Sequence, residues 1–375
     1  MTSAWESLRV VTDVLQPHGG GLKGAQRRRE LDDWSAPIEF ANAHLLTPAM
    51  FAALKASHRL AAVPEDVRDY LKLLHGHNLE RNAALRVQAL EVFAAMAAAD
   101  VPAMPLKGGL SQFVGHFPDS GARLFRDTDL LVPRPSLMTA VQVLERLGYV
   151  ATTRYEPVVH AYAEFMRKGD PGAVDLHVEI IDANYILPAR ELWERASPTA
   201  CNGVPLHLPS PTDQILHNVL HAQIHYTGNF YRAVLQLQQI YEFALLARHH
   251  GNIKEGGAID WPAIEARFAR HGLTTALQSY ALAATEWFAL PWPLSARPTP
   301  AARAHHLRCL AQLRAPMLKR ALLPWGNLRA AFASHRMHAL YGDSHPLVPR
   351  PVLHAWKYAR KTDPRGMVDR LFKLS

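Results

Sequence analysis

The chain has 375 residues, 49% of them apolar and 20% charged, which suits two domains, or one large domain with appendages, built on a real hydrophobic core. No apolar run approaches the roughly 20 residues that a membrane-crossing helix needs, and the first residues lack the basic start and apolar core of a signal peptide. Two cysteines, Cys201 and Cys309, make no disulfide framework and lack zinc-ligand spacing, so a cytoplasmic protein is expected. The formal net charge of +8 is uneven: from Ala301 to Ser375 there are 14 Lys and Arg against 3 Asp. Such an end would suit nucleic acid, but it lacks the aromatic interleaving of a single-strand binder, and a solvated basic face explains it equally well.

In chain order, residues 1–35 read as a partly ordered lead-in, with Gly19-Gly20-Gly21 and then Arg27-Arg28-Arg29. Residues 36–100 read as helices. Val63-Pro64-Glu65-Asp66 opens the main one, with Pro and acids where a helix start favours them. Its apolar residues Leu71, Leu74, Leu79, Leu85, Val87, Leu90, Val92, Phe93 and Met96 recur at roughly helical spacing, as a core stripe does.

From 101 to 187 the pattern is mixed. A strand is expected near 103–107, a helix from about 109, and a strand over 128–132. A helix follows from Ser136 to Leu147, then strands near 150–154, 161–167 and 173–180. After Pro188 no strand is expected, and 188–295 reads as a helical domain. Pro211-Thr212-Asp213 starts a helix carrying His217, His221 and His225 at i, i+4 and i+8 on one face. That spacing can bind zinc, but histidines buried and bonded between helices are commoner, and no Glu completes a His-Glu-x-x-His motif. Pro291-Trp292-Pro293 and Pro298-Thr299-Pro300 mark a linker before a basic helical segment, 296–375.

The chemistry concentrates in Leu124-Phe125-Arg126-Asp127-Thr128-Asp129-Leu130-Leu131-Val132. Alternation along a strand puts Asp127 and Asp129 on one face. Two adjacent carboxylates repel, so a cation normally holds them together, and removing one charge should relieve strain. Upstream, Leu106-Lys107-Gly108-Gly109-Leu110-Ser111 joins a short apolar segment to a helix start, where backbone N–H groups can approach a phosphate. Downstream, Ala173-Val174-Asp175-Leu176-His177-Val178-Glu179-Ile180 alternates strictly, setting Asp175, His177 and Glu179 on one face. The preceding Gly169-Asp170-Pro171-Gly172 turn predicts a hairpin partner.

This ordered set resembles the DNA polymerase beta-type nucleotidyltransferase superfamily, and within it a bacterial family of uncharacterised nucleotidyltransferases. The matching pieces are Leu106-Lys107-Gly108, Arg123 ahead of Asp127, Asp127 through Val132, Leu147-Gly148-Tyr149 and Val174-Asp175-Leu176-His177. His221-Ala222-Gln223-Ile224-His225 resembles a His-x-x-x-His in the family's helical half, and Glu242-Phe243-Ala244-Leu245-Leu246 falls where an Asp-led apolar helix is usual. The resemblance spans roughly residues 40 to 290. It implies an α+β fold: a small mixed-sheet nucleotidyltransferase core flanked by N-terminal helices and a mostly helical C-terminal half.

The resemblance further implies transfer of a nucleoside monophosphate from an NTP, expected to be ATP, to a hydroxyl or phosphate acceptor. Two Mg2+ ions, replaceable by Mn2+, would be held by Asp127, Asp129 and Asp175, with those carboxyls within about 8 Å of one another. Gly108 and Gly109 would cradle the outer phosphates, Lys107, Arg123 or Arg126 would neutralise the triphosphate, and His177 would be accessory. The acceptor (small molecule, peptide or RNA) stays open. Gly109 stands where many superfamily members carry Ser, for which Ser111 would substitute, and His116 to Arg126 reads as an inserted loop over or across the nucleotide site. The alternative is a catalytically silent nucleotide- or RNA-binding protein of the same fold, disfavoured by three intact carboxylates kept together.

Overall fold

The computed structural model describes residues 3–17, 31, 33–155, 158–225, 228–251, 258–333 and 337. The Gly19–Gly21 and Arg27–Arg29 runs, the glycine-rich stretch after Gly251 and nearly all of the basic segment beyond Ala333 lie outside the described residues.

The architecture is α+β, as expected. Helix α1 (Ala4–Leu15) falls within the presumed lead-in; Ser3 and Glu6 close a capping box on it, and Leu8, Val11 and Val14 are fully buried. Helices α2 (Ser35–Ala43) and α3 (Thr47–Ala56) pack beside it. Helix α4 (Glu65–Ala98) is 34 residues long, and its buried stripe changes character along its length. The C-terminal turns bury Val92, Phe93 and Met96, whereas the middle buries Asn78 and Asn82. Those amides donate to backbone carbonyls of the 116–126 loop: Asn78 Nδ2 to Gly121 O and Arg123 O at 2.7 and 3.0 Å, Asn82 Nδ2 to Ser120 O and Arg123 O at 2.6 and 2.8 Å. Arg81 adds bonds to the carbonyls of Phe125 and Arg126. The inserted loop is therefore pinned to α4 by polar groups whose partners satisfy its turns.

A five-stranded sheet follows, with strands β1 (Met104–Pro105), β2 (Asp127–Leu131), β3 (Val150–Arg154), β4 (Ala161–Met166) and β5 (Ala173–His177) in the order β1-β2-β5-β4-β3. Only β2 and β5 run parallel; the turn at 169–172 joins β4 and β5 as the predicted hairpin. Helix α5 (Lys107–Val114) starts two residues earlier than expected and α6 (Leu137–Arg146) follows β2. Leu130, Val174 and Leu176 point into a core with Val141, Leu144 and Phe165, so Asp127, Asp129 and Asp175 face the other way. Strand β5 ends at His177, shorter than expected. Beyond it Val178 N and Glu179 N both donate to His160 O, and the Glu179 carboxylate turns away to accept from Ala189 N at 2.8 Å. Glu179 thus leaves the Asp175–His177 face.

Strands do not stop at Pro188. After α7 (Ala189–Arg195), β6 (Ser197–Cys201) and β7 (Val204–Leu208) form a hairpin through Asn202 (φ 51°) and Gly203 (φ 78°). Positive φ at both central residues is what a two-residue Asn-Gly hairpin turn requires. His207 N donates to Ala103 O at 3.0 Å, so the hairpin docks beside β1. The helical half comprises α8 (Pro211–Gln223), α9 (Asn229–Arg232), α10 (Leu237–His250), α11 (Trp261–Arg270) and α12 (Thr274–Phe288), packed around Val219, Leu220, Phe243, Phe268 and Ala281. After the proline-rich stretch, α13 (Pro300–Arg314) and α14 (Pro316–Ala331) complete the described chain. Helix α8 ends at Gln223, so His225 lies past the helix rather than on its i+8 face.

Candidate active site

Pairing β2 with β5 in parallel puts Asp129 opposite Asp175 and Leu131 opposite His177. Nε2 of His177 lies 3.0 Å from Asp129 Oδ1 and 3.0 Å from Asp175 Oδ2. Donor atoms of Asp129, Asp175 and His177 fall within 4.8 Å of one another, the one such group found among the described residues. Asp127, two positions along the same strand face, stands outside that group.

A lysine already holds this cluster. Lys107 Nζ is 2.5 Å from Asp129 Oδ1 and 3.5 Å from His177 Nε2. Lys107 opens α5 with φ 47°, a left-handed conformation that costs a non-glycine residue and brings the ammonium back over β2. Burial alone would raise the Asp129 pKa, but the Lys107 charge and the His177 hydrogen bond outweigh it and hold the carboxyl well below the usual range. Burial opposes the charge on Lys107 too, yet Asp129 keeps its pKa raised. Among the described residues Asp127 has no such hydrogen-bonded partner: burial and then the charge on Asp129 push it up to about 6 against the pull of Lys107. The two aspartates are thus unlike: Lys107 and His177 favour the charge on Asp129, whereas burial and Asp129 disfavour the charge on Asp127.

Lys107, Asp127 and Asp129 line a cavity of about 290 Å³ between the sheet and the helical half; Asp175 and His177 are not among its lining residues. One wall is Lys107, Gly108 and the 123–126 loop; the other is His217, His221, Gln239 and Glu242 of α8 and α10. Gly108 is packed so closely that a Cβ there would lie 2.6 Å from Phe125 Cβ, whereas at Gly109 the nearest atom would be Thr128 Cα at 3.9 Å. Ser111 Oγ donates to Gly108 O at 2.7 Å, a bond within its own helix. Arg126 lines the cavity and is exposed.

Arg123 is committed elsewhere. Its Nε and Nη2 donate to the Glu242 carboxylate at 3.0 and 2.8 Å, and both side chains are buried. His116 Nε2 lies 3.3 Å from Glu242 Oε1. Burial would raise the Glu242 carboxyl, but Arg123 brings it down to about 2. This pair ties the inserted loop to α10, so the loop forms a wall of the cleft and leaves it open. Glu242 was visible only as the first residue of an apolar helix; nothing local signals its partner 119 residues away.

His217 and His225 are buried, whereas His221 is only partly so, and His217 and His221 line the cavity. His221 Nδ1 is 3.0 Å from Gln239 Nε2, and His225 Nδ1 is 2.9 Å from Asp182 Oδ1. Burial pulls His217 down to about 3, so it faces the cavity neutral. None of the three belongs to a metal-ligand group among the described residues.

A small mixed sheet with an aspartate-bearing parallel strand pair, facing a helical half across a cleft, is consistent with a nucleotidyltransferase core. The family model described as "uncharacterised nucleotidyltransferase" matches residues 30–289, well over half of the chain. The protein belongs to that family, a family of transferases. No curated protein matches it. Nucleotidyltransferases generally use divalent metals, and the residues present fit one. The set is two carboxylates and an imidazole, and Asp175 Oδ1 is buried with no hydrogen-bond partner. Among the described residues no helix is long and apolar enough to cross a membrane.

Proposed function

We propose that this enzyme transfers a nucleoside monophosphate from an NTP, ATP being the expected one, to a hydroxyl or phosphate acceptor, with release of pyrophosphate in the cytoplasm. The reading rests on the register that sets Asp129, in the lining of a cleft together with Asp127, Lys107 and Arg126, opposite Asp175 on the neighbouring strand. The acceptor oxygen attacks the α-phosphorus in line, a new P–O bond forms, and the bond to the bridging oxygen breaks with its electrons leaving on pyrophosphate. The proton of a hydroxyl acceptor passes to Asp175, the carboxylate that stands opposite Asp129 on the neighbouring strand. Asp127, Asp129 and Asp175 would hold Mg2+ or Mn2+, which supplies charge neutralisation at the attacking and leaving oxygens. Backbone at Gly108 and Gly109, at the start of α5, approaches the outer phosphates. Lys107 and Arg126 supply positive charge for the triphosphate. Arg123, paired with Glu242, shapes the wall.

Pyrophosphate release tests this reading. Protein supplied with each NTP in turn, Mg2+ and fractionated cell extract should release pyrophosphate, fastest with ATP, and Asp129→Asn and Asp175→Asn should abolish it. Release that survives both substitutions would remove the assignment.

A further inference from the structure

His177 is the residue of the cluster that the carboxylate reading leaves without a task. It is fully buried at the end of β5, and its Nε2 faces three groups at once: Asp129 Oδ1 and Asp175 Oδ2 at 3.0 Å, and Lys107 Nζ at 3.5 Å. One ring nitrogen carries either a hydrogen or a lone pair. With a hydrogen it suits the carboxylates and opposes the ammonium; with a lone pair it suits the ammonium and opposes the carboxylates. A single cation bound by all three residues resolves the conflict, because lone pairs of two carboxylates and one imidazole then point at the same charge. The spacing agrees. Neighbouring ligands of an octahedral ion with bonds of about 2.1 Å stand about 3.0 Å apart.

We propose that His177 Nε2 is a metal ligand, so that Asp129, Asp175 and His177 form a mixed nitrogen–oxygen centre that takes Mn2+ in preference to Mg2+, in the place where the Lys107 ammonium now meets Asp129. The proposal rests on the nucleotidyltransferase reading only for there being an ion at these aspartates. Mg2+ is a hard ion that favours oxygen ligands alone, whereas imidazole suits transition-metal ions. The third position of the donor group thus sets which ion the centre selects. Binding there frees Lys107 from Asp129 and leaves its ammonium at the cleft wall.

The test is pulsed electron paramagnetic resonance on the full-length protein with Mn2+ alone, in ordinary and 15N-histidine-labelled forms. The wild type should show the nitrogen modulation of a directly bound imidazole, and labelling should convert it to the 15N pattern. His177→Asn should abolish the signal and weaken Mn2+ binding by about tenfold or more, with a smaller change for Mg2+. If that variant does not fold, the isotope comparison in the wild type still decides, since no other histidine shares this donor group among the described residues. Mn2+ bound without nitrogen coupling would overturn the proposal and leave the carboxylate site standing. No Mn2+ binding at millimolar concentration would overturn both.

Discussion

Asp129 and Asp175 stand directly opposite each other on the two parallel strands of an otherwise antiparallel sheet, and His177 Nε2 lies 3.0 Å from a carboxylate oxygen of each. Forty-six residues separate the aspartates in the chain. Parallel pairing of β2 with β5 turns that separation into adjacency, with the intervening helix and hairpin as the crossover. Asp127, on the same face of β2, stands outside that donor group among the described residues.

The two aspartates of the Asp-x-Asp should therefore respond differently to the same substitution. Asp129→Asn removes the counter-charge of a buried Lys107 and should cost about 3 kcal/mol of stability. Asp127→Asn removes a charge that burial and Asp129 disfavour, so stability should hold or rise. Chemical denaturation in the presence of a chelator measures both. Equal destabilisation by the two substitutions would show that Lys107 does not discriminate between them.

Acid should act on the cleft wall through Glu242. Its folded pKa, about 2, lies below the ordinary 4.5, so its contribution is fully present above pH 4.5 and is lost as pH falls toward 2. The size is about 3 kcal/mol by linkage. Glu242→Gln should lower stability at neutral pH by a similar amount and flatten the stability profile between pH 4.5 and 2. An acid profile as steep as that of the wild type would place the sensitivity elsewhere.

The two glycines should differ as well. Gly108→Ala drives a methyl against Phe125 Cβ at 2.6 Å and should cost about 1–3 kcal/mol, with loss of nucleotide binding as the loop shifts. Gly109→Ser has room, with the nearest atom 3.9 Å away, and should fold normally. Thermal unfolding of both variants, with and without ATP and Mg2+, checks the pair. Destabilisation of Gly109→Ser equal to that of Gly108→Ala would mean that the packing around α5 differs from that described.

Much of this site can be read locally. Period-two alternation is enough to put Asp127 with Asp129, and Asp175 with His177, because each pair lies within one strand. The hairpin of β6 and β7 has an equally local signature: Cys201-Asn202-Gly203-Val204 is an Asn-Gly turn between short strands, set among segments of helical pattern. Other features have no local signature. Lys107 meets Asp129 from a backbone φ of 47°, and Arg123 finds Glu242 across 119 residues. The end of β5 at His177, which turns Glu179 away, depends on His160 O capturing the next two amides. The buried Asn78 and Asn82 of α4 interrupt an apolar stripe, and that interruption marks where a loop, not a core, packs against the helix.

Parallel reactions with α-32P- and γ-32P-labelled ATP, with Mg2+ or Mn2+ and fractionated cell extract, test nucleotidyl transfer most directly. The account predicts that the α-label alone becomes attached to an acceptor, that the γ-label leaves in pyrophosphate, and that Asp175→Asn abolishes the attachment. Attachment of the γ-label, or α-label transfer that persists in Asp175→Asn, would contradict it.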